Sequence, residues 1–246
     1  MPAPEIRVFK DLETLSRAAA AEFTALAAQA KPQGKPFAAA LSGGPTPKRF
    51  YELLATPEFS GKIPWPRVHL FQVDERCVPP DDVESNYRMM RQAMIERIPL
   101  PAANFHRMPA EQPDHEGAAR RYESELRETL GAPPPAWPSF DLVYLGLGDD
   151  GHTASLFPGT AALEERERAV CPNYVEKLKM FRLTLTLPVL NAAQKVIFLV
   201  AGVGKAETLR QILRPPAAWP RLPAQRIQPV QGTVSWYLDE AAARLL

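Results

Sequence analysis

The residues best suited to chemistry in this sequence are two carboxylates and an imidazole that follow a short apolar run. That run, residues 140–147, is rich in Leu, Val and aromatic side chains and predicts a buried strand. Asp149, Asp150 and His152 come directly after it, among closely spaced glycines. An open α/β sheet keeps its ligand crevice beyond the carboxyl ends of its strands, and an imidazole there can take a proton near neutral pH. The pattern favours a catalytic loop over a simple Asp-Gly turn.

A second motif predicts an anion-binding loop. Residues 37–41 predict a buried strand, and residues 48–55 predict a helix. Between them the chain places adjacent glycines and two hydroxyl side chains, namely Ser42, Gly43, Gly44 and Thr46. Paired glycines let main-chain N–H groups face an anion, and the helix amino terminus adds a favourable dipole. The loop is neither a Walker A sequence nor G-x-G-x-x-G, so a tight turn capped by Thr46 is the structural alternative.

Charged residues also follow other predicted strands. Residues 74–76, Asp-Glu-Arg, come after a predicted strand over 68–73. Burying charged side chains there is costly unless each one is paired, exposed to solvent or has a functional role. Lys205 follows a Gly-Val-Gly turn at the start of a predicted helix over 206–213. It is placed to reach an anion at the sheet edge. An exposed lysine at a helix start is the alternative.

Strands and helices alternate along the whole length, which predicts an α/β fold. We expect one domain over residues 1–246, built on a Rossmann-like, open, twisted and mostly parallel sheet covered by helices on both faces. The remaining expected helices cover residues 11–30, 85–95, 114–130, 161–169 and 239–246, and the remaining strands cover 6–9, 182–187, 196–201 and 233–238.

Composition excludes several functions. A formal net charge of +1 argues against a nucleic-acid or membrane-surface partner, and no apolar run approaches the ~20 residues of a membrane span. The amino terminus lacks a signal-peptide pattern. Cys77 and Cys171 form no spacing motif, which favours a reduced, cytoplasmic protein. The four histidines are widely spaced, so no metal site is expected. A monomer or weak dimer is expected.

Several stretches together resemble one family, the 6-phosphogluconolactonases of the pentose phosphate pathway. They span nearly the whole chain, and the run Asp-Gly-His-Thr-Ala-Ser-Leu-Phe-Pro is specific. The stretches are residues 41–47, 74–76 with 85–86, 145–159, 182–188 and 202–206. The resemblance implies a fold shared with glucosamine-6-phosphate deaminase and, more distantly, ribose-5-phosphate isomerase.

The resemblance implies hydrolysis of 6-phospho-D-glucono-1,5-lactone to 6-phosphogluconate without a metal or organic cofactor. His152 is the candidate general base, and Asp150 is the nearest carboxylate that could orient it. Asp149, Asp74 and Glu75 stay open as alternatives for that orienting role. The oxyanion donors also stay open, among the N–H groups around Gly43, Gly44 and Gly151.

The sugar phosphate requires fixed positive charge. Arg182 and Lys205 are the best candidates, with Arg76 in support. The predicted substrate-binding set is completed by Ser42, Gly43, Gly44, Thr46, Asp74, Asn86 and Gly151. Pro45 stands where the family commonly has a second serine, which removes an N–H and a hydroxyl from the loop.

Three other functions are compared with the residues of this sequence: deaminase, sensor and serine esterase. The related deaminases carry a glutamate five residues after the histidine, where this chain has Phe157, although Asp74 matches their base. A sugar-phosphate sensor would bind without turnover. A serine esterase is disfavoured because Ser42 lies in no G-x-S-x-G elbow.

Metal chelators are expected to leave hydrolysis unchanged, because the sequence offers no cluster of metal ligands. The measurement is the lactonase rate before and after prolonged dialysis against a chelator. A large loss that added divalent ions restore would contradict this expectation.

Overall fold

The computed structural model describes residues 4–29, 35–215 and 222–246. The strands of this part of the chain are β1 (Glu5–Phe9), β2 (Phe37–Leu41), β3 (Val68–Gln72), β4 (Asp74–Arg76), β5 (Phe105–His106), β6 (Leu142–Leu145), β7 (Val170–Val175), β8 (Met180–Leu185), β9 (Lys195–Val200) and β10 (Thr233–Asp239). The α-helices are α1 (Leu12–Ala27), α2 (Pro45–Leu54), α3 (Pro57–Ser60), α4 (Asn86–Ala93), α5 (His115–Leu130), α6 (Leu187–Leu190), α7 (Ala206–Leu213) and α8 (Glu240–Ala243).

The main sheet has seven strands in the order β1-β10-β9-β6-β2-β3-β5, and every adjacent pair is parallel. A second, antiparallel sheet has the order β4-β8-β7. The predicted α/β fold with a mostly parallel sheet is therefore confirmed. The small antiparallel sheet was not foreseen.

Two hydrophobic cores lie on opposite faces of the main sheet, because successive strand residues point to opposite sides. In β6, Tyr144 belongs to one core and the neighbouring Leu145 to the other. Helices α1, α2 and α4 cover the first face. Helices α5 and α7 and the small sheet cover the second. Both faces are thus buried, which is why the central strands are apolar throughout.

One residue joins the two sheets. β3 ends at Gln72 and β4 begins at Asp74, so only Val73 lies between them. Its N–H donates to the carbonyl of Leu41 in β2, and its carbonyl accepts from Leu185 in β8, each at 2.9 Å. Val73 is fully buried. The charged triplet that starts at Asp74 therefore follows the predicted strand as expected, and it forms a strand of the small sheet, which the sequence analysis did not foresee.

The predicted helix over residues 161–169 is also wrong. Only a 3-10 turn, Ala161–Glu164, forms, and the chain then enters β7. The cause is Glu165, whose carboxylate accepts from the N–H groups of Glu167 and Arg168 at 2.8 and 3.2 Å. A side chain that satisfies nearby N–H groups competes with the helix ladder.

The other predicted helices are present, and their ends differ from the predicted ones by a few residues. Helix α2 begins three residues before the predicted start, with Pro45 at its first position, where a missing N–H costs nothing. The carboxy-terminal helix is one turn, α8, rather than the whole of 239–246. The helix predicted over 11–30 ends at Ala27, and residue 30 lies outside the described residues.

The helix behind the predicted anion loop is anchored by an aromatic cluster. Phe50 of α2 is fully buried, and its ring centroid lies 4.6 Å from Tyr144 and 6.2 Å from Phe23. We expect Phe50→Ala to lower the free energy of unfolding by about 3–5 kcal/mol, measured by urea denaturation. Val8→Ala, at a half-exposed position of β1, is the control. A loss below about 1 kcal/mol in Phe50→Ala would show that the cluster does not hold α2.

Candidate active site

The loop after β6 folds back on itself, so that His152 lies against the backbone of Gly148. The N–H of Gly148 donates to the carbonyl of His152 at 2.8 Å, and Gly151 N–H donates to the carbonyl of Gly148 at 3.0 Å. The imidazole lies so close to Gly148 that a Cβ there would meet Nδ1 at 1.9 Å. Gly151 has a φ of 76°, which favours glycine. The glycines thus allow the histidine to occupy this position.

A carboxylate orients the imidazole. Nδ1 of His152 lies 2.5 Å from Oδ1 of Asp150. The other carboxylate oxygen of Asp150 accepts a hydrogen bond from Nζ of Lys177. Burial raises the pKa of Asp150, but the hydrogen bonds from His152 and Lys177 outweigh it and hold that pKa below its ordinary value. An ionised Asp150 accepts a hydrogen bond from Nδ1–H, so Nε2 is left with its lone pair.

An aromatic ring supports the same histidine. Phe157 stacks on His152 with ring centroids 3.9 Å apart and planes 20° apart. Two cations lie over the Phe157 ring: the guanidinium of Arg182 at 5.4 Å and Nζ of Lys177 at 5.0 Å. Phe157 is almost fully buried. It fixes the plane of the imidazole and offers no proton donor.

The predicted anion loop lies between β2 and α2. Gly44, with a φ of 104°, precedes Pro45 at the start of the helix. A Cβ on Gly43 would lie 1.8 Å from Oδ1 of Asn86, so this glycine permits the close approach of α4. The carbonyl of Ser42 accepts from the buried hydroxyl of Tyr51 at 2.6 Å. The Tyr51 hydroxyl therefore holds the loop on the side away from the cleft. The amino-terminal end of α2 faces the cleft.

A buried ion pair forms another wall of the cleft. Nη1 of Arg182 lies 4.0 Å from Oδ2 of Asp74, which also accepts from the hydroxyl of Ser155 at 2.6 Å. The amide of Asn86 donates to the carbonyl of Asp74 at 2.9 Å. Burial lowers the pKa of Arg182, since desolvation penalises its charge. A nearby anion would restore the interactions that this guanidinium has lost with water.

Lys205 lies across the mouth of the cleft. Its Nζ is 2.5 Å from Oδ1 of Asp149, a highly exposed carboxylate. The carbonyl of Asp149 accepts from the hydroxyl of Thr208 at 2.7 Å, which holds the loop against α7. An exposed pair of this kind contributes little to stability, so an incoming anion can replace Asp149 at low cost.

These residues enclose a cavity of about 220 Å³. Most of the predicted side chains line it, together with residues of the glycine loops: Ser42, Gly43, Gly44, Thr46, Asp74, Arg76, Asn86, His152, Arg182 and Lys205. Asp150 and Gly151 do not line it. Asp150 lies behind His152, and Gly151 packs against Leu222, whose Cβ lies 2.8 Å from where a Cβ on Gly151 would be. A larger cavity of about 600 Å³ along β10 contains none of the predicted site residues.

The sequence analysis missed Lys177 and assigned no anchoring role to Glu75. Lys177 lies in an exposed turn between β7 and β8 and belongs to no motif. Glu75 is buried and accepts from the N–H groups of Asn86 and Tyr87 at 2.8 and 2.7 Å, so it anchors the start of α4. A carboxylate next to Asp74 carries no sequence signal that separates anchoring from catalysis.

Two kinds of feature are absent from the described part of the chain. No group of three His, Cys, Asp or Glu side chains is arranged to hold a metal ion there. No helix of residues 4–29, 35–215 and 222–246 is long and apolar enough to cross a membrane.

The parallel sheet with a cleft beyond its carboxyl edge defines the class of open α/β proteins that bind ligands at that edge. Within this class the chain belongs to the glucosamine-6-phosphate isomerase/6-phosphogluconolactonase family, whose model matches residues 10–236. The family resemblance inferred from the sequence is confirmed.

Similar proteins support this assignment. A 6-phosphogluconolactonase of Synechocystis is 45% identical over 84% of this chain and 83% of its own length. The human 6-phosphogluconolactonase is 44% identical over 85% of this chain and 81% of its own length. The structure of 6-phosphogluconolactonase from Trypanosoma cruzi matches with a TM-score of 0.88 at 31% identity, over 99% of this chain and 97% of that one. A monomeric glucosamine-6-phosphate deaminase, at 23% identity and a TM-score of 0.80, shares the fold.

Proposed function

We propose that this chain hydrolyses 6-phospho-D-glucono-1,5-lactone to 6-phosphogluconate with His152 as general base. The reaction is the one named for its relatives at 45% and 44% identity, and the activity predicted from the sequence is thereby confirmed. The residue roles are the proposal. The observation that carries them is the 2.5 Å contact between His152 and an ionised Asp150 beside a cleft lined by cations.

The chemistry follows from that contact. Nε2 of His152 removes a proton from water as the water oxygen attacks the lactone carbonyl carbon. Asp150 stabilises the imidazolium that results, and N–H groups of the glycine loops are candidates to donate to the oxyanion. When the tetrahedral intermediate collapses, the bond to the ring oxygen breaks. That oxygen takes the proton back from the imidazolium and becomes a hydroxyl group.

The phosphate is held at the cationic side of the cleft. Lys205 and Arg182 supply fixed charge, with Arg76 beside them. The start of α2 adds its dipole and the hydroxyl groups of Ser42 and Thr46. Lys205 exchanges its contact with Asp149 for the substrate phosphate.

Phe157 favours lactone hydrolysis over the sugar-phosphate deamination of the related deaminases. At this position the related deaminases use a carboxylic acid to open the sugar ring, whereas Phe157 is apolar and stacked on His152. Asp74 is also engaged by Ser155 and Arg182. A non-catalytic sensor remains an outcome of the tests below. The cytoplasmic location and the monomeric or weakly dimeric state stay predictions.

His152→Ala is expected to lower the turnover of freshly prepared lactone by about 10²–10⁴-fold, because the general base is lost. The assay follows acid release and subtracts the spontaneous opening of the lactone. His115→Ala removes a histidine at the start of α5 that does not line the cleft and serves as the matched control. A near-normal rate in His152→Ala would remove His152 from the mechanism. Binding of 6-phosphogluconate without turnover by the wild type would favour the sensor.

Lys205→Met is expected to raise KM for the phosphorylated lactone by about 10- to 100-fold, because one charge-assisted hydrogen bond to the phosphate is lost. Unphosphorylated glucono-1,5-lactone has no group for Lys205, so its kcat/KM should not change. Lys62→Met, an exposed lysine outside the cleft, controls for net charge. An equal loss with both lactones would argue against a phosphate role for Lys205.

A further inference from the structure

We propose that Lys177 is a positioning residue for this reaction: its ammonium group holds Asp150 in the orientation that aims His152 at the substrate. The inference rests on the proposed lactonase function. It comes from the geometry of one carboxylate, whose two oxygens have different partners. Oδ1 contacts Nδ1 of His152 at 2.5 Å, and Oδ2 accepts from Nζ of Lys177.

The Asp150 carboxylate has an anchor outside its own loop. Its side chain is 30% exposed, and Oδ1 is held within the loop by Nδ1 of His152 and by the His152 N–H at 3.1 Å. Oδ2 is held by Lys177, so this contact fixes the second oxygen of the carboxylate. Lys177 belongs to a different element, the turn Glu176–Leu178 that follows β7. The contact therefore ties the catalytic loop of the main sheet to the small sheet.

Lys177 also contacts the ring that supports the histidine. Its Nζ lies 5.0 Å from the centroid of Phe157, and His152 stacks on that ring at 3.9 Å. Asp150, His152, Phe157 and Lys177 thus form a closed circuit of contacts. Displacing any one of the four removes support from the imidazole.

The same ammonium limits how strongly Asp150 favours a charged imidazole. In the wild type the carboxylate divides its charge between Lys177 and His152. Without Lys177, the full negative charge stabilises the imidazolium, and the neutral base forms only at higher pH. Other charged groups around the cleft are Arg182 and Asp74 on the small sheet and Lys205 and Asp149 at its mouth. They are unchanged by substitution at Lys177.

The test is the pH profile of kcat/KM for Lys177→Met between about pH 5 and 8, where an imidazole titrates. We expect kcat to fall roughly 3- to 30-fold, as for a modest misplacement of a catalytic group. The acid limb should move up by about half a unit to one unit. Both effects should be equal for phosphorylated and unphosphorylated lactone, since Lys177 acts through Asp150. Lys177→Arg, which keeps the charge, should restore the position of the acid limb.

Lys179→Met is the matched control, because Lys179 lies at the end of the same turn and has the same charge. It should keep the wild-type profile. An unchanged acid limb and rate in Lys177→Met would overturn the proposal. A loss confined to the phosphorylated lactone would overturn it as well, and would make Lys177 a phosphate ligand.

A measurement without substrate separates this proposal from the proposed function. Proton uptake by the His152 imidazole, followed by NMR in wild type and Lys177→Met, should occur at higher pH in the variant. That shift, together with a wild type that turns over no lactone, would uphold the link from Lys177 to His152 and reject the lactonase assignment. Identical titrations in the two proteins would overturn the link. Lys177→Gln replaces Lys177→Met if the latter does not fold.

Discussion

The site depends on one steric constraint, the contact between the imidazole of His152 and the backbone of Gly148. The ring occupies the space in which any Cβ at position 148 would lie. The chain can therefore turn back on itself within four residues, and the histidine returns to the end of the strand it has just left. Its Nδ1 then meets Asp150, two residues earlier in the same loop. A long-range fold supplies the edge of the sheet, and a local turn supplies the proposed general base.

Neighbouring charges in the same loop are used in different ways. Asp149 and Asp150 are consecutive, yet each contacts a lysine from a different part of the chain. Asp149 is highly exposed, so its contact with Lys205 is weak and replaceable. Asp150 is partly buried and shares its charge with an imidazole, so its contacts are stronger. Burial, rather than residue type, separates an exchangeable partner from a fixed one.

The sequence predicted most of what depends on local pattern. The apolar runs identified the central strands, and the glycine motifs placed the loops at one edge of the sheet, where the cavity is lined by most of the predicted residues. What it missed depends on contacts between distant residues. Strand β7 contains Pro172, which an edge strand tolerates but which argues against a strand in the sequence. The turn that carries Lys177 has no periodicity, and its role is visible only when β7 and β8 pair. One miss is local: the Glu165 carboxylate accepts from N–H groups two and three residues later and so stops a helix, which propensity does not describe.

The link at Val73 has a consequence for how the cleft receives a ligand. The anion loop belongs to the main sheet, while Asp74 and Arg182 belong to the small sheet. These two parts form opposite walls of the cleft, and the single buried residue Val73 joins them. Because Val73 is hydrogen-bonded to a strand of each sheet, the two walls are held at a fixed distance. A hinge needs residues whose backbone angles can change. Val73, the one residue of this junction, has both its N–H and its carbonyl hydrogen-bonded, so it does not provide a hinge. The two walls should therefore keep their spacing whether the cleft is empty or full. Such a preformed cleft spends little of its binding energy on closure.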